Sequence, residues 1–333
     1  MKAVMFFVLT IAIPLLCAAE YDKDAFARLL RNGAVAKYVY RVVDDEGVSV
    51  SNATAHVWFR SYGRPHDEAS WAVKTDTNGI FVAEHRLNEK FSVGIDKEGY
   101  YHTHDEINYF GMSAAKRLSI VKDGKWQPYG ETRTVVLKRI RNPWAVKVFA
   151  GEQCHRKIPV FDQWLPFDME KSDWLAPYGK GICNDVLLRF TKKLTDKWFV
   201  YSFSMEASFT NNPYAGCLIR PLDEFSDMKT AYIADTNAEY QVSYLYSKEC
   251  AENKAVKITG LENGQYLVFR TRTRIDENGN LVGAHYGKLC REWNSNRKEM
   301  QLGEGCFNPI ENDPNIEGDQ SLLYKIKNCK KVK

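Results

Sequence analysis

The sequence predicts an all-β protein in which a β-sandwich is followed by a larger, cysteine-containing β-rich domain. Short runs with period-two alternation recur along the chain, and turn residues separate most of them. At 333 residues, the chain exceeds one ordinary core and is long enough for two domains. All cysteines beyond residue 19 lie at or after Cys154, which also indicates two separately folding parts.

The composition is that of a folded chain, and it excludes several classes of protein. The chain is 44% hydrophobic and 26% charged, which excludes extended disorder and low-complexity architecture. Lys and Arg number 46 against 42 Asp and Glu, and a net charge of +4 is too small to indicate nucleic-acid binding. We therefore expect no nucleic-acid partner. Neither a P-loop nor a dinucleotide-binding glycine motif occurs, so we also expect no cofactor.

Residues 1–19 predict a secretory signal peptide. A basic Lys2 precedes an apolar run over residues 3–16, which ends in small residues suited to cleavage. The run is shorter than the roughly 20 residues that span a bilayer, so we expect an exported protein (periplasmic, cell-surface or extracellular) with no transmembrane helix. Acylation of Cys17 is the alternative, and Leu16 disfavours it because bacterial lipidation signals prefer a small residue before the cysteine.

Residues 20–34 predict a short helical lead. Phe26, Leu29 and Leu30 share one helical face, and Gly33 stands where a left-handed residue ends a helix. The helical period then gives way to strands.

Residues 35–140 predict about six short strands, which is typical of a sandwich. The pair Asn78-Gly79 predicts a hairpin turn between the third and fourth strands, with Gly79 at positive φ. The predicted strands are Val35–Val43, Ala53–Phe59, Trp71–Lys74, Ile80–His85, Phe91–Asp96 and Thr132–Ile140.

Three motifs in this segment resemble the carboxypeptidase regulatory-like domain. They are Val43–Ala53 (VDDEGVSVSNA), Thr75–Phe81 (TDTNGIF) and Glu98–Tyr100 (EGY). The chain departs from the usual pattern after Gly47, where the family has proline. The resemblance implies an immunoglobulin-like or transthyretin-like sandwich that acts as a non-catalytic module.

Residues 141–333 predict a second β-rich domain with longer strands. Phe199–Phe209 and Tyr240–Tyr246 alternate strictly, and Asp276–Asn280 predicts a hairpin turn between Leu267–Ile275 and Leu281–Lys288. The motifs DWLAPYGKG (Asp173–Gly181) and CFNPIEND (Cys306–Asp313) resemble an uncharacterised family of secreted bacterial proteins. That resemblance implies no function.

Seven cysteines lie in the second domain, and export would place them in an oxidising compartment. Since seven is odd, at least one thiol is free or pairs with another chain, and we expect at least one disulfide. The cysteines are Cys154, Cys183, Cys217, Cys250, Cys290, Cys306 and Cys329.

Three acids are the candidate catalytic residues of the chain. Asp168, Glu170 and Asp173 lie close to Trp164 and Trp174, and paired carboxylates beside aromatic platforms are what glycosidases use. The alternative is a solvated charged loop. The sequence contains no nucleophile elbow for acyl transfer.

Two further groups of residues are candidates for binding. Arg270, Arg272 and Arg274 are predicted to line one strand face, where they grip an anion or pair with neighbouring acids. His102 and His104 share a strand face as zinc ligands do, but the residues that follow do not complete a metal motif. We therefore expect no metal.

The sequence thus predicts an exported, non-catalytic binding or assembly protein that recognises carbohydrate or another envelope component. A secreted polysaccharide hydrolase using the acids at 168–173 is one alternative, and a purely structural envelope protein is the other. The candidate ligand-binding residues are Trp164, Trp174, Arg270, Arg272 and Arg274.

Overall fold

The computed structural model describes residues 21–63, 68–149, 155–195, 200–223, 225–253, 255–290, 294–295, 299–301 and 305–318. Within these residues most regular structure is strand, arranged in several sheets, so the predicted mostly β fold is confirmed. The predicted signal peptide and Cys17 lie outside them. No helix in this part of the chain has the length and apolar character needed to cross a membrane.

The described chain divides into two compact units. Unit 1 comprises residues 21–96 and 104–135, and unit 2 comprises residues 97–103 and everything from 136 onward.

Unit 1 begins with the predicted helix, α1 (Lys23–Asn32). Asp22 caps its first turn by accepting a 2.8 Å hydrogen bond from the Ala25 amide, and Gly33 ends it at φ 61°. The remaining elements, in chain order, are β1 (Ala34–Asp44), β2 (Thr54–Arg60), β3 (Ala69–Lys74), β4 (Ile80–Leu87), β5 (Lys90–Asp96), β6 (Thr103–Asn108), α2 (Ala114–Ser119), β7 (Val121–Lys122), β8 (Lys125–Trp126) and β9 (Thr132–Leu137).

The strands of unit 1 form a sandwich of two sheets. One sheet has the order β4-β1-β8-β7 with β9 also paired to β1, and the other has the order β3-β2-β5-β6. Aromatic rings from both sheets fill the space between them: Tyr38 stacks on Phe91 at 4.1 Å, and Phe91 meets Phe59 edge-on at 4.9 Å. Period-two alternation, by placing these rings on one side of each strand, produces this core.

The turn at residues 75–79 does not form the predicted hairpin. Gly79 has the predicted positive φ, at 74°, but β3 pairs with β2 and β4 pairs with β1. The chain therefore crosses from one sheet to the other at this turn. The local turn signal was correct, whereas the hairpin prediction was wrong because sheet partners are set by distant residues.

Unit 2 is built mainly from two antiparallel sheets and a small third one. The larger sheet has the order β13-β12-β14-β15-β17-β18, the second β10-β23-β20-β19-β16, and the third β11-β22-β21. After a single 3-10 turn at Pro143–Ala145, the strands are β10 (Lys147–Phe149), β11 (His155–Lys157), β12 (Trp164–Asp168), β13 (Asp173–Trp174), β14 (Val186–Leu194), β15 (Tyr201–Ser208), β16 (Gly216–Pro221), β17 (Ser243–Cys250), β18 (Val256–Thr259), β19 (Gln265–Ile275), β20 (Leu281–Leu289), β21 (Asn294–Ser295), β22 (Glu299–Gln301) and β23 (Gly305–Phe307).

The five-stranded sheet of unit 2 has a hydrophobic core on each face. On one face, Phe269 and Phe307 pack with the inward side chains of the six-stranded sheet, such as Phe190 and Met205. On the other face, Val268 and Tyr286 pack in a separate cluster. The predicted hairpin between β19 and β20 forms, closed by the turn at Asp276–Asn280.

No disulfide joins the cysteines of the described chain, so the predicted bridge is not confirmed there. Cys217 and Cys306 are buried free thiols in the two different cores of unit 2. They also lie three strand positions apart, roughly 14 Å, whereas a disulfide requires Cα atoms within about 7 Å. Both thiols therefore pack as small apolar groups. Cys154 and Cys329 lie outside the described residues.

Candidate functional site

The candidate acids of the sequence converge on one arginine, Arg272, in unit 2. Arg272 lies on β19 at a break in register with β20, between Thr271 and Arg274, and its φ is 49°. A bulge of this kind turns a side chain to the opposite face of its sheet. The guanidinium consequently lies 4.6 Å from the ring of Phe307, on the side of the larger core.

Three carboxylates bind this guanidinium. Asp185 accepts from Nε at 2.8 Å and from Nη2 at 3.0 Å, Glu170 accepts from Nη1 at 2.6 Å, and Asp168 accepts from Nη2 at 3.1 Å. Together, Asp168, Glu170, Asp185 and Arg272 form what we call the Arg272 cluster. The planar guanidinium fork matches this set, because it directs separate N–H groups to several oxygens at once.

The two aspartates of the cluster also bind the backbone and are fully buried. Asp168 accepts from the amides of Lys171, Ile182 and Cys183 at 2.9–3.0 Å, and Asp185 accepts from the Met169 amide at 2.9 Å. Asp168 and Asp185 are 1% and 0% exposed. Their oxygens are thus committed to internal bonds, which leaves little capacity for an external ligand.

Electrostatics holds Glu170 as a carboxylate. Burial acts to raise its pKa, but hydrogen bonds from Lys147 and Arg272 outweigh burial and lower that pKa to about 2. Burial raises the pKa of Asp185, against which Arg272 acts. A glycosidase needs one carboxylic acid that is protonated near neutral pH and free to reach a substrate. Glu170 does not meet the first requirement, and Asp168 does not meet the second.

Asp173, the third predicted acid, does not bind Arg272. Its Oδ1 accepts from the Trp174 amide at 2.9 Å and its Oδ2 from the Lys180 amide at 3.0 Å, so it braces the loop that follows. A Cβ at Gly179 would lie 2.4 Å from the Trp174 carbonyl oxygen, and a Cβ at Gly181 would lie 2.8 Å from that of Asp173. The motif DWLAPYGKG therefore encodes a closely packed loop.

The three predicted arginines do not share one face. Arg270 packs 4.1 Å from the ring of Tyr240 and donates to the carbonyl oxygens of Tyr214 and Thr236, on the side of the smaller core. Arg272 points to the opposite side. Arg274 forms an exposed ion pair with Glu311 at 2.7 Å. The expected arginine stripe is wrong because the bulge at Arg272 interrupts the alternation.

An outward-facing aromatic residue, Trp164, marks a second candidate site. Trp164 on β12 is 41% exposed, and the guanidinium of Arg189 on β14 lies 4.7 Å from its ring centroid. Arg189 in turn donates to Glu206 on β15 at 2.6 Å, and Leu245 on β17 continues the row. We call the row Trp164, Arg189, Glu206 and Leu245 the Trp164 face.

Polar residues border the Trp164 face on both sides. On one side the adjacent row begins with the apolar Pro166 and Leu187, next to Trp164 and Arg189, and continues with Ser208 and Ser243. The row on the other side contains Thr191, Ser204 and Ser247. The inward side chains of the same strands belong to the larger core. An outward sheet surface with one exposed indole and hydroxyl side chains along part of its border is suited to a ligand that has both a ring face and hydroxyl groups.

The remaining candidates are not combined into a site. Trp174, predicted as a ligand-binding residue, is buried and donates its indole N–H to the Lys157 carbonyl oxygen at 2.9 Å. His102 precedes β6, and His104 lies on it with an exposed side chain. Within the described residues, no group of three or more His, Cys, Asp or Glu side chains is placed to hold a metal ion.

Two residues of these candidate sites, Asp185 and Arg189, were not identified from the sequence. Asp185 carries no local signal, since it lies outside the acid group at residues 168–173 and reaches Arg272 only through the fold. Arg189 was also missed, although alternation along β14 places it between the inward-facing Leu188 and Phe190. An arginine on the outward side of such a strand is a signal that sequence reasoning could have used.

Comparison with known proteins gives little guidance. No protein-family model and no curated protein matches the sequence. Among solved structures, 3-chlorocatechol 1,2-dioxygenase from Rhodococcus opacus 1CP matches at 14% identity and a TM-score of 0.26, over 32% of this chain and 61% of that one. Hydroxyquinol 1,2-dioxygenase from Pseudomonas putida DLL-E4 matches at 15% identity and a TM-score of 0.24, over 33% and 58% of the two chains. The matched part is less than two thirds of either dioxygenase, and these scores carry no argument about this chain.

Proposed function

We propose that this protein is an exported, non-catalytic binding protein that recognises carbohydrate through the Trp164 face. The observation that carries the proposal is the exposed indole of Trp164 on the outward side of the sheet, with the Arg189 guanidinium packed against its ring and paired in turn with Glu206. A sugar ring offers an apolar C–H face for stacking and hydroxyl groups for the bordering polar side chains. A tryptophan side chain has few rotatable bonds, so it loses little conformational entropy on binding.

The Arg272 cluster favours the hypothesis of a non-catalytic protein over that of a polysaccharide hydrolase. Arg272 binds Asp168, Glu170 and Asp185 simultaneously, and Glu170 remains ionised at neutral pH. A hydrolase would need two carboxylates facing a substrate-sized gap, one of them acting as an acid. The cluster supports a different role for these acids, which is to link β19 to the loops around β12.

Export and domain family are part of the same proposal. The pattern of residues 1–19 supports a secretory signal, and the motifs between Val43 and Tyr100 support a carboxypeptidase regulatory-like module for unit 1. A non-catalytic module that is followed in the chain by a binding domain fits recognition of a polysaccharide or another envelope component.

The test is affinity electrophoresis of the mature protein through native gels that contain a soluble polysaccharide. Barley β-glucan, xyloglucan, galactomannan and arabinoxylan are suitable neutral probes, and an acidic pectin gives the charged comparison. We expect retardation by at least one of them, and Trp164→Ala should weaken that binding about tenfold, or about 1.4 kcal/mol.

The matched control is Leu194→Ala. Leu194 is exposed at the end of β14, five residues from Arg189, and is not part of the Trp164 face. Equal binding by wild type and Trp164→Ala, or equal losses in both variants, would contradict the proposed site.

A further inference from the structure

A second exposed tryptophan lies on unit 1, on the outer face of the sheet β3-β2-β5-β6. Along β2, Ala55, Val57 and Phe59 point into the core, and the alternate residues point outward. Those outward residues are His56, Trp58 and Arg60. Trp58 is 40% exposed, which is unusual for a tryptophan at the centre of a paired strand.

The neighbouring strands leave the indole of Trp58 uncovered. Ser70 on β3 and Ser92 on β5 lie directly opposite Trp58 across the two strand pairs, and Ala72 and Gly94 occupy the next row, opposite His56. Cross-strand partners normally pack against a large side chain. Here the partners are small, and a depression of about 540 Å³ results, lined by His56, Trp58, Ser70, Trp71, Ala72 and Ser92.

Polar groups frame the depression at both ends. At one end, the guanidinium carbon of Arg60 lies 5.7 Å from the Trp58 ring centroid, and Arg60 Nε lies 3.5 Å from a carboxylate oxygen of Glu89. At the other end, His56 Nε2 lies 3.9 Å from Asp96 Oδ2. The indole is therefore bordered by hydrogen-bonding groups in the plane of the sheet.

We infer that the Trp58 platform, meaning His56, Trp58, Arg60, Ser70, Ala72 and Ser92, is a second carbohydrate-binding site that takes a neutral sugar ring of a polysaccharide. The inference rests on the proposed function for the ligand class, and it assigns unit 1 a binding site of its own. The ring stacks its C–H face on Trp58, and its hydroxyl groups reach the polar groups at either end.

Size and charge favour this occupant. The depression has a volume of about 540 Å³, which lies within the range of sites that bind small ligands. At each end a basic side chain lies beside a carboxylate, Arg60 beside Glu89 and His56 beside Asp96, so neither end offers an unpaired cation to an acidic sugar. A protein partner is the outcome that would replace this inference if no polysaccharide contacts Trp58.

The experiment uses the full mature chain and the same neutral polysaccharide gels. We expect Trp58→Ala to weaken binding of the retarding polysaccharide about tenfold, with Ser92→Leu giving a similar loss because a branched side chain would cover the indole. Phe110→Ala is the matched control, since Phe110 is an exposed aromatic residue of unit 1 outside the platform. Unchanged melting temperatures establish that the variants are folded.

NMR of the uniformly ¹⁵N-labelled protein gives a direct measurement through the indole N–H resonances. The Trp58 resonance is identified by its absence from the spectrum of Trp58→Ala. The inference requires that this signal shifts on titration with oligosaccharides of the retarding polysaccharide. Binding that Trp164→Ala abolishes and Trp58→Ala leaves intact overturns the inference alone. Binding that only Trp58→Ala weakens overturns the Trp164 site and supports the inference, and no binding to any probe overturns both.

Discussion

In unit 2, the Arg272 side chain binds three carboxylates, two of which are fully buried. Its backbone adopts a left-handed conformation that costs a non-glycine residue about 1–3 kcal/mol, and its bonds to Asp168, Glu170 and Asp185 hold it there. An arginine that looks like a ligand-binding residue in sequence thus has a positioning role within the fold.

Replacing Arg272 by leucine should destabilise the protein by about 3–5 kcal/mol, because two fully buried carboxylates lose their counter-charge. The measurement is the free energy of unfolding from denaturant titration. Arg274→Leu is the matched control, as it removes an exposed ion pair two residues away and should have little effect. Comparable losses in both variants would show that the Arg272 cluster does not stabilise the fold.

The lowered pKa of Glu170 predicts that the protein loses stability in a defined range of acidic pH. Its folded pKa of about 2 lies below the ordinary value of 4.5, so the unfolded chain takes up this proton first as the pH falls. The stabilisation is therefore complete above pH 4.5 and is lost progressively toward pH 2. Glu170→Gln should flatten this part of the curve of unfolding free energy against pH.

The comparison of Glu170→Gln with the wild type separates the contribution of Glu170 from that of Asp185. Burial raises the pKa of Asp185, so Asp185 changes the stability with pH in the opposite direction. Glu311→Gln serves as the control, since Glu311 pairs with Arg274 at the surface, where solvent screens the charge. A curve for Glu170→Gln that parallels the wild type between pH 4.5 and 2 would contradict the role assigned to this carboxylate.

At the scale of elements, the sequence predicts strands better than it predicts their partners. Alternation along β2 and β15 identifies both strands and their buried sides, because a half-buried strand needs apolar residues at every second position. The bulge at Arg272 leaves no comparable signal. The Arg272 cluster could therefore not be predicted, although three of its four residues were singled out.

Within the part of the chain that the structure describes, one turn design is found at three places, with different outcomes. In Asp44–Val48, Asp76–Ile80 and Asp276–Asn280, the aspartate side chain accepts two amide hydrogen bonds and a glycine at positive φ follows three residues later. The third turn closes the β19–β20 hairpin, whereas the second connects two sheets. Local residues specify the turn, and long-range pairing decides what it connects.

A comparison of Gly79 with Gly47 measures how much stability depends on the close packing of the turn at Gly79. Both have positive φ, but a Cβ at Gly79 would lie 2.4 Å from the Val42 carbonyl oxygen, whereas one at Gly47 would meet nothing within 4 Å. Gly79→Ala should therefore lower the free energy of unfolding by at least about 1 kcal/mol more than Gly47→Ala, which bears only the backbone strain. Equal losses in denaturant titration would show that the close approach to Val42 costs nothing.

At the scale of the whole molecule, the two units differ in how they are stabilised. Unit 1 contains no cysteine and depends on an aromatic core between two sheets, whereas unit 2 combines two hydrophobic cores with the buried charges of the Arg272 cluster. The uneven distribution of cysteines in the sequence thus coincides with a difference in internal chemistry. Exposed tryptophans occur on both units, at Trp58 and Trp164.

The helix that precedes the sandwich is expected to be part of the folding unit. Leu29 of α1 is 6% exposed, and the Leu30 carbonyl oxygen accepts a 2.6 Å hydrogen bond from the side chain of the buried Asn88. A fragment of residues 21–140 should unfold cooperatively, and one of residues 35–140 should be less stable by about 1.5–3 kcal/mol, the contribution of one buried leucine. Denaturant titrations of the two fragments measure the difference, and adding a reductant should change neither because both lack cysteine. A fragment 21–140 without a cooperative transition would show that the sandwich does not fold independently of the rest of the chain.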